Sequence, residues 1–357
     1  MDADAPTLTV IIPAYNEGAM VEKTIDSCIA ARYPRDRLQI IAVDDGSRDD
    51  TWAWIERAAA RHGSLVTPIR FERNQGKRAA LAAGFERARG EIVVTIDSDS
   101  IIEPQTLLAI AGPFADPRVG AVAGNVRVLN RKRGLLPAML AVRFGLSFDF
   151  IRSTESTYRT VYCCPGALAA YRAEVVRRVL PAWIEQRFLG TRCTIGEDRA
   201  MTNDILAQGY DAVYQRTAVV HTLVPERFGK MCKMLLRWDR SFVREESRLA
   251  RIVWKRPAWP MIATVVERTI VNVLRLPVAL YMSGLFVTAA VADPTVVLRV
   301  ALAIATSAFF YSLYYLRTER SWQFLYGIAY AFVAFFSLFW IYPYALMTAR
   351  KGGWLTR

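Results

Sequence analysis

Four short apolar runs in the first hundred residues each stop at a cluster of polar side chains. Leu8–Pro13 is followed by Tyr15-Asn16-Glu17, and Gln39–Val43 by Asp44-Asp45-Gly46-Ser47. Val66–Phe71 precedes Asn74-Gln75-Gly76-Lys77, and Ile92–Ile96 ends at Asp97-Ser98-Asp99. Short continuous apolar runs are the pattern of strands buried on both faces, as in parallel sheets. Helical periodicity fills the gaps over Glu17–Arg32, Ser47–Arg61 and Gly76–Arg89, and Val119–Val128 reads as a fifth strand. This alternation predicts a doubly wound, Rossmann-like α/β domain. Ser47 with Asp50 three residues later reads as a capping box for the second helix. Any one cluster alone would be an ordinary surface turn. Parallel strands share one carboxyl edge, however, so all of them should line a single crevice, where open α/β sheets bind ligands.

The chemistry expected there follows from residue type. In extended chain residues i and i+2 point the same way, so Asp97 and Asp99 converge. Two hard oxygen donors suit Mg²⁺ or Mn²⁺, commonly together with a phosphate. Lys77, at a helix start behind Gly76, can face a diphosphate beside backbone N–H groups, although a solvated lysine would look the same.

Composition narrows the class. The chain carries 53% apolar and 22% charged residues and a net charge of +13. No Lys/Arg-rich tract or nucleic-acid motif accompanies that charge, which excludes nucleic acid as the expected partner. Arginines beside apolar segments fit a membrane facing anionic lipid instead. Cys28, Cys163, Cys164, Cys193 and Cys232 show no metal-ligand spacing and are expected reduced, in the cytosol. The organisation expected is a cytosolic catalytic domain (1–225), an amphipathic interfacial helix region (226–257) and a membrane region (258–357). Ser321–Ala349 contains no charged residue. Two transmembrane helices are therefore expected at about 296–317 and 322–349, since a crossing needs about 20 apolar residues. The stretch 261–292, interrupted by Glu267, Arg268 and Arg275 and broken at Pro277, reads as a span or as an in-plane or re-entrant piece. An even number of crossings keeps the basic tail beside the catalytic domain, as the positive-inside rule prefers. A multi-pass protein of the cell membrane is expected, with no signal peptide ahead of the first strand.

With these pieces placed, the chain resembles the inverting, GT-A-fold family 2 glycosyltransferases. It is most similar to the branch of hyaluronan synthases, chitin synthases and the rhizobial chitooligosaccharide synthase. The marks are Ile-Pro-Ala-Tyr-Asn-Glu (12–17), Val-Asp-Asp-Gly-Ser (43–47), Asn-Gln-Gly-Lys-Arg (74–78) and Asp-Ser-Asp (97–99). They continue with Cys-Cys-Pro-Gly-Ala-Leu (163–168), Gly-Glu-Asp-Arg (196–199), Arg-Trp-Asp-Arg-Ser (237–241) and Trp-Leu-Thr-Arg (354–357). Three departures are visible. Met234 stands where a Gln is usual, Pro165-Gly166-Ala167 replaces Ser/Cys-Gly-Pro, and the N-terminal spans of those enzymes are absent ahead of Leu8.

The resemblance implies a UDP-sugar donor, with Pro13, Tyr15, Glu17, Asp44 and Asp45 around the nucleotide and Lys77 at the diphosphate. Asp97 and Asp99 would hold Mg²⁺ or Mn²⁺, Asp99 as the direct ligand, and His221 is either a further metal contact or a satisfied core or interface histidine. Asp198 matches the catalytic base, with Glu197 and Arg199 supporting it; an acidic helix cap would use the same residues. Arg237 and Trp238 match the Arg-Trp pair, a fork of donors for phosphate and a face for sugar stacking. An interfacial helix over Arg227–Arg248 with snorkelling arginines accounts for the same residues. Cys164 and Gly166 would approach the transferred sugar or the acceptor, and Trp354 and Arg357 would lie on the active-site side. The function implied is sugar transfer to a growing β-linked glycan, with N-acetylglucosamine and/or glucuronic acid as the sugar. Single transfer to a lipid-linked acceptor, or a non-catalytic scaffold, are the alternatives. Membrane lipid, a glycan or glycolipid acceptor and a homo-oligomeric partner complete the expectation.

Overall fold

A computed structural model of the chain describes residues 5–352. The strands are Leu8–Ala14 (β1), Leu38–Asp44 (β2), Val66–Arg70 (β3), Ile92–Thr95 (β4), Ser100–Ile102 (β5) and Val119–Val128 (β6). Ala169–Arg172 (β7), a small hairpin of Arg187–Phe188 (β8) and Thr191–Arg192 (β9), and Asp211–Thr222 (β10) follow. Eight of them form one sheet in the order β3-β2-β1-β4-β7-β6-β10-β5. β1 runs parallel to β2 and β4, and β2 to β3, in a register that sets Ala14 beside Asp44 and Asp44 beside Arg70. The predicted strand ends therefore do share one edge.

The far half departs from a doubly wound sheet. β7 is antiparallel to both β4 and β6, and β5 is antiparallel to β10. Helical residues 135–157 carry the chain from the end of β6 back to the start of β10, where Thr160 pairs with Ala212, and the following residues return it to the crevice edge, from which it enters β7.

Alternation along β1 feeds two cores. Val10 and Ile12 pack with Val21, Ile25 and Ile55 of the helices Met20–Ile29 and Thr51–His62. Ile11 packs on the opposite face with Leu81, Phe85, Val176 and Trp183 of Lys77–Arg87 and Ala173–Ile184. The expected capping box does not form. Ser47 Oγ instead accepts the Asn16 N–H at 3.0 Å, and the Thr51 N–H goes to Asp49 Oδ1 at 3.1 Å. Ser47 thus joins two of the strand-end clusters.

C-terminal to the sheet, the helix Phe228–Ile252 leads into the apolar segment. Among the described residues one helix, Thr295–Glu319, is long and apolar enough to cross a membrane, with mean hydropathy 1.8 and little of its surface buried. The stretch expected to span at 322–349 is bent, with Trp322–Ser337 and Ile341–Met347 meeting at 49°, and the two pieces together are long and apolar enough for a broken crossing or a re-entrant loop. Pro343 removes an N–H from the second piece. Ile341 and Ala345 are buried, Tyr342 meets Phe242 ring to ring at 6.4 Å, and Arg240 Nε donates to Thr348 Oγ1 at 3.0 Å. Packing on the helix Phe228–Ile252 turns the chain aside.

The ambiguous segment 261–292 is not one continuous α-helix either. Ala258–Arg268 gives way to a wide turn at Thr269–Leu274 before Arg275–Ala292. Glu267 and Arg268 face residues 158–162 and the helix Phe228–Ile252. Glu267 accepts from Tyr158 Oη, and Arg268 pairs with Glu246 at 3.0 Å and covers the Tyr162 ring at 3.8 Å.

Candidate active site

The strand ends and the helix Phe228–Ile252 enclose a cavity of about 1060 Å³. Of the residues singled out from the sequence, Pro13, Tyr15, Asp45, Lys77, Asp97 and Asp99 line it from the sheet edge. Gly166, Glu197, Asp198, Arg237 and Trp238 close it from the other side.

Local geometry explains the loops. Gly46 has φ +69°, and a Cβ there would lie 2.4 Å from the Arg73 backbone. Only glycine lets the two loops touch. Asp45 then collects Asn74 Nδ2 at 2.9 Å, the Gln75 N–H at 2.7 Å and the Gly76 N–H at 2.9 Å. Burial nevertheless pushes its carboxyl up, against those N–H donors. Gly76, at φ +93°, opens the helix that carries Lys77 inward.

Lys77 is the electrostatic centre of the site. Its ammonium donates to Asp97 Oδ1 and lies 3.2 Å from Glu197 Oε1. The two carboxylates hold it well above the usual lysine range against the penalty of burial. Glu197 is 4% exposed. Burial pushes its carboxyl up, but Lys77, followed by Arg237 and Arg78, outweighs this and holds it low. Gly166 passes over the cluster, where a Cβ would meet Lys77 Nζ at 2.8 Å.

Asp198 opens the helix Glu197–Ala207 behind Gly196, which is left-handed at φ +81°. Asp198 Oδ2 accepts the Gly166 N–H at 3.3 Å and the Cys163 thiol at 3.7 Å, while Oδ1 accepts the Arg199 N–H at 2.7 Å. Burial, then the neighbouring Glu197 charge, raises its carboxyl above the usual range. An acidic first-turn position, favoured by the helix dipole, and an oriented carboxylate coincide in this residue.

Asp97 and Asp99 both reach the cavity. Asp99 accepts from Thr222 Oγ1 at 3.1 Å and Ser100 Oγ at 3.2 Å, and burial plus the Asp97 charge push it up to about 6. Like charges held together in a pocket, with oxygen as the donor atom, fit a hard divalent cation shared with phosphate.

Four sequence-derived assignments take other places. Asp44 is fully buried behind the wall, where its Oδ1 accepts the Ser47 N–H at 3.1 Å and its carboxylate faces Arg70 at 3.7 Å. It holds the turn while Asp45, one residue on, faces the cavity. Glu17 stands off the wall, with its backbone N–H donating to Thr51 Oγ1 at 2.8 Å. Cys164 is turned into the core and its N–H binds Thr202 Oγ1 at 3.1 Å, whereas Cys163 is on the wall. His221 pairs with Glu103 at 3.0 Å, and alternation along β10 gives Asp99 to Thr222 instead. Trp354 and Arg357 lie outside the described residues.

Sequence reasoning missed one whole side of the cavity. The helix Leu135–Phe144 and the wide turn Gly145–Phe150 bring Arg143, Phe144, Ser147 and Phe148 to the wall, followed by Ile151 and Arg152. Phe144 and Phe148 lie 6.0 and 6.2 Å from the Trp238 ring. The available signal was Arg143, a lone charge inside an otherwise apolar run from Leu135 to Phe148.

A nucleotide-type crevice at a sheet edge, facing an oriented carboxylate across a cavity, defines a group-transfer site on an α/β scaffold. Residues 9–180 match the family model described as Glycosyl transferase family 2, so the chain carries a family 2 glycosyltransferase domain, built on a GT-A fold. It is 28% identical over 354 residues to the N-acetylglucosaminyltransferase of Azorhizobium caulinodans, covering 99% of this chain and 87% of that protein. It is 35% identical over 243 residues to the hyaluronan synthase of Streptococcus pyogenes, covering 67% of this chain and 57% of that one. Among solved structures, a mannosyltransferase from Pyrobaculum calidifontis in complex with GDP-Man and Mn²⁺ superposes with a TM-score of 0.64. That match has 27% identity and covers 94% of this chain and 88% of that one.

Proposed function

We propose that the chain transfers a sugar, N-acetylglucosamine or glucuronic acid, from a UDP-sugar to a growing β-linked glycan at a membrane. The observation that carries this reading is Asp198, held by three donors and facing Lys77 and the Asp97/Asp99 pair across one cavity. Asp45 and Tyr15 bind the nucleoside, and Lys77 and Arg237 receive the diphosphate. Asp97 and Asp99 would hold Mg²⁺ or Mn²⁺, which supplies charge neutralisation on the departing diphosphate. Asp198 takes the proton of the acceptor hydroxyl as its oxygen attacks the anomeric carbon. The bond from that carbon to the diphosphate breaks with its electron pair leaving on UDP, and the anomeric configuration inverts. The helix Thr295–Glu319 anchors the chain in the membrane, with the site on the cytosolic side.

Purified full-length protein in detergent with UDP-N-acetylglucosamine and Mn²⁺ should release UDP, and Asp198→Asn should abolish that release. Undiminished turnover in Asp198→Asn would remove the base assignment. Turnover with GDP-mannose in place of every UDP-sugar would overturn the donor. A second reading, a single transfer to a lipid-linked acceptor, is favoured by Met234, whose thioether lies on the wall where it offers no polar contact. Sizing the product by mass spectrometry separates the two.

A further inference from the structure

Arg143 projects from the helix Leu135–Phe144 into the cavity, sandwiched between two aromatic rings. Its guanidinium carbon lies 5.6 Å from the Trp238 ring and 5.7 Å from the ring of Tyr330, on the apolar helix Tyr326–Ser337. Nη1 is completely buried without a hydrogen-bond partner, and no carboxylate pairs with Arg143 among the described residues. Arg152, on the same wall, is by contrast matched by Glu155 at 2.7 Å. A partly desolvated guanidinium without a counter-charge is costly, and an arginine fork is suited to phosphate.

The surroundings narrow the ligand further. Phe144, Phe148, Ile151, Met234 and Trp238 make this end of the cavity largely aromatic and aliphatic. A subsite for a bare sugar would present hydrogen-bonding side chains to its hydroxyls. On the wall formed by residues 143–152 the polar side chains are Arg143, Ser147 and Arg152, and Arg152 has Glu155 as its partner while Arg143 has no carboxylate among the described residues. Lys77, which faces the donor diphosphate in the proposed reaction, is already enclosed by Asp97 and Glu197.

We propose that Arg143 binds a phosphate group on the acceptor, and that the acceptor is an amphiphile, a sugar joined through phosphate to an apolar chain. The inference rests on the transferase reading above. Its sugar hydroxyl faces Asp198, its phosphate sits under Arg143, and its apolar chain follows the aromatic wall toward Tyr330. The guanidinium then gains the counter-charge the protein does not supply. The transfer step keeps the balance given above, with the hydroxyl proton passing to Asp198 and UDP leaving.

Two matched acceptors test this with the full-length protein in detergent. One is N-acetylglucosamine linked to farnesol through a diphosphate; the other is the same sugar joined to farnesol directly. The diphosphate form should show a KM lower by roughly tenfold or more, the scale of a charge-assisted contact. Arg143→Gln should erase that preference and Arg143→Lys should keep part of it. Equal KM values in the wild type would overturn the inference, as would a preference that survives in Arg143→Gln. So would a rise in the donor KM alone in Arg143→Gln, which would assign the arginine to the nucleotide-sugar. If no acceptor and no UDP-sugar gives UDP release, the transferase reading itself fails. If a neutral oligosaccharide supports release and the diphosphate form does not, only the subsite inference falls.

Discussion

Replacing Lys77 by Met removes the one cation between Asp97 and Glu197 while keeping most of the side-chain volume. At the observed 3.2 Å from Glu197, an effective dielectric of ~20 gives an attraction of about 5 kcal/mol. Some of that is offset because a buried ammonium no longer has to be desolvated, which leaves a net cost of ~3–5 kcal/mol. In the wild type Glu197 is held below its ordinary range, so its contribution to stability is present above that range and lost on acidification. In Lys77→Met burial acts with less opposition and the carboxyl rises. An elevated carboxyl destabilises the fold above its ordinary value and recovers as it takes up a proton. The deficit should therefore be largest near pH 8, about 5–10 °C in apparent Tm, and should shrink toward pH 5. Circular-dichroism melts in detergent with a chelator present would read it, independently of turnover. The double variant Lys77→Met/Glu197→Gln should recover much of the loss at pH 8, with a coupling of ~2–3 kcal/mol. A deficit that is constant or grows on acidification, or additive variants, would refute the reasoning.

Two further outcomes are expected. Because Asp198 is raised by burial and by Glu197, the acid limb of kcat/KM should lie above the ordinary carboxylate value of about 4. Activity should fall as pH drops through that limb, and Glu197→Gln should move it lower; a pH–rate profile with no such displacement speaks against Asp198 as the base. Gly196→Ala forces a Cβ to within 2.0 Å of Ser241 Oγ at a left-handed backbone position, and should cost about 2–4 kcal/mol. A thermal or urea melt indistinguishable from wild type would show that the loop before Glu197 adjusts freely.

That the strand-end clusters line one crevice was readable because strand ends in a parallel sheet share an edge whatever the details of packing. Which of two adjacent residues faces the cavity was not. Asp44 against Asp45, and Cys164 against Cys163, are decided by turn geometry that the strand pattern leaves open. The reversal of β7 was equally hidden, since four residues of Ala-Ala-Tyr-Arg carry no mark of direction. Charge-free composition marked Ser321–Ala349 as membrane-like but said nothing of the bend, which comes from packing on the helix Phe228–Ile252. Arg143 was overlooked because an arginine within an apolar helix reads as a snorkelling surface charge until the rings on either side of it are known.

The helix Phe228–Ile252 presents Arg237 and Trp238 to the cavity near its middle and grips the C-terminal segment one turn further on. Arg240 donates to Thr348, and Arg244 spans from the Ile195 carbonyl at 2.7 Å to the Ala349 carbonyl at 3.3 Å. Ile195 is itself three residues from Asp198. One side chain therefore bridges the approach to the base and the end of the apolar segment, with no flexible linker between them. If the apolar helices sit in lipid, bilayer thickness becomes a variable of the reaction. A sheet of lipid that tilts those helices would displace the Ile195 loop and the arginine pair together, so turnover should respond to acyl-chain length much as it responds to a mutation.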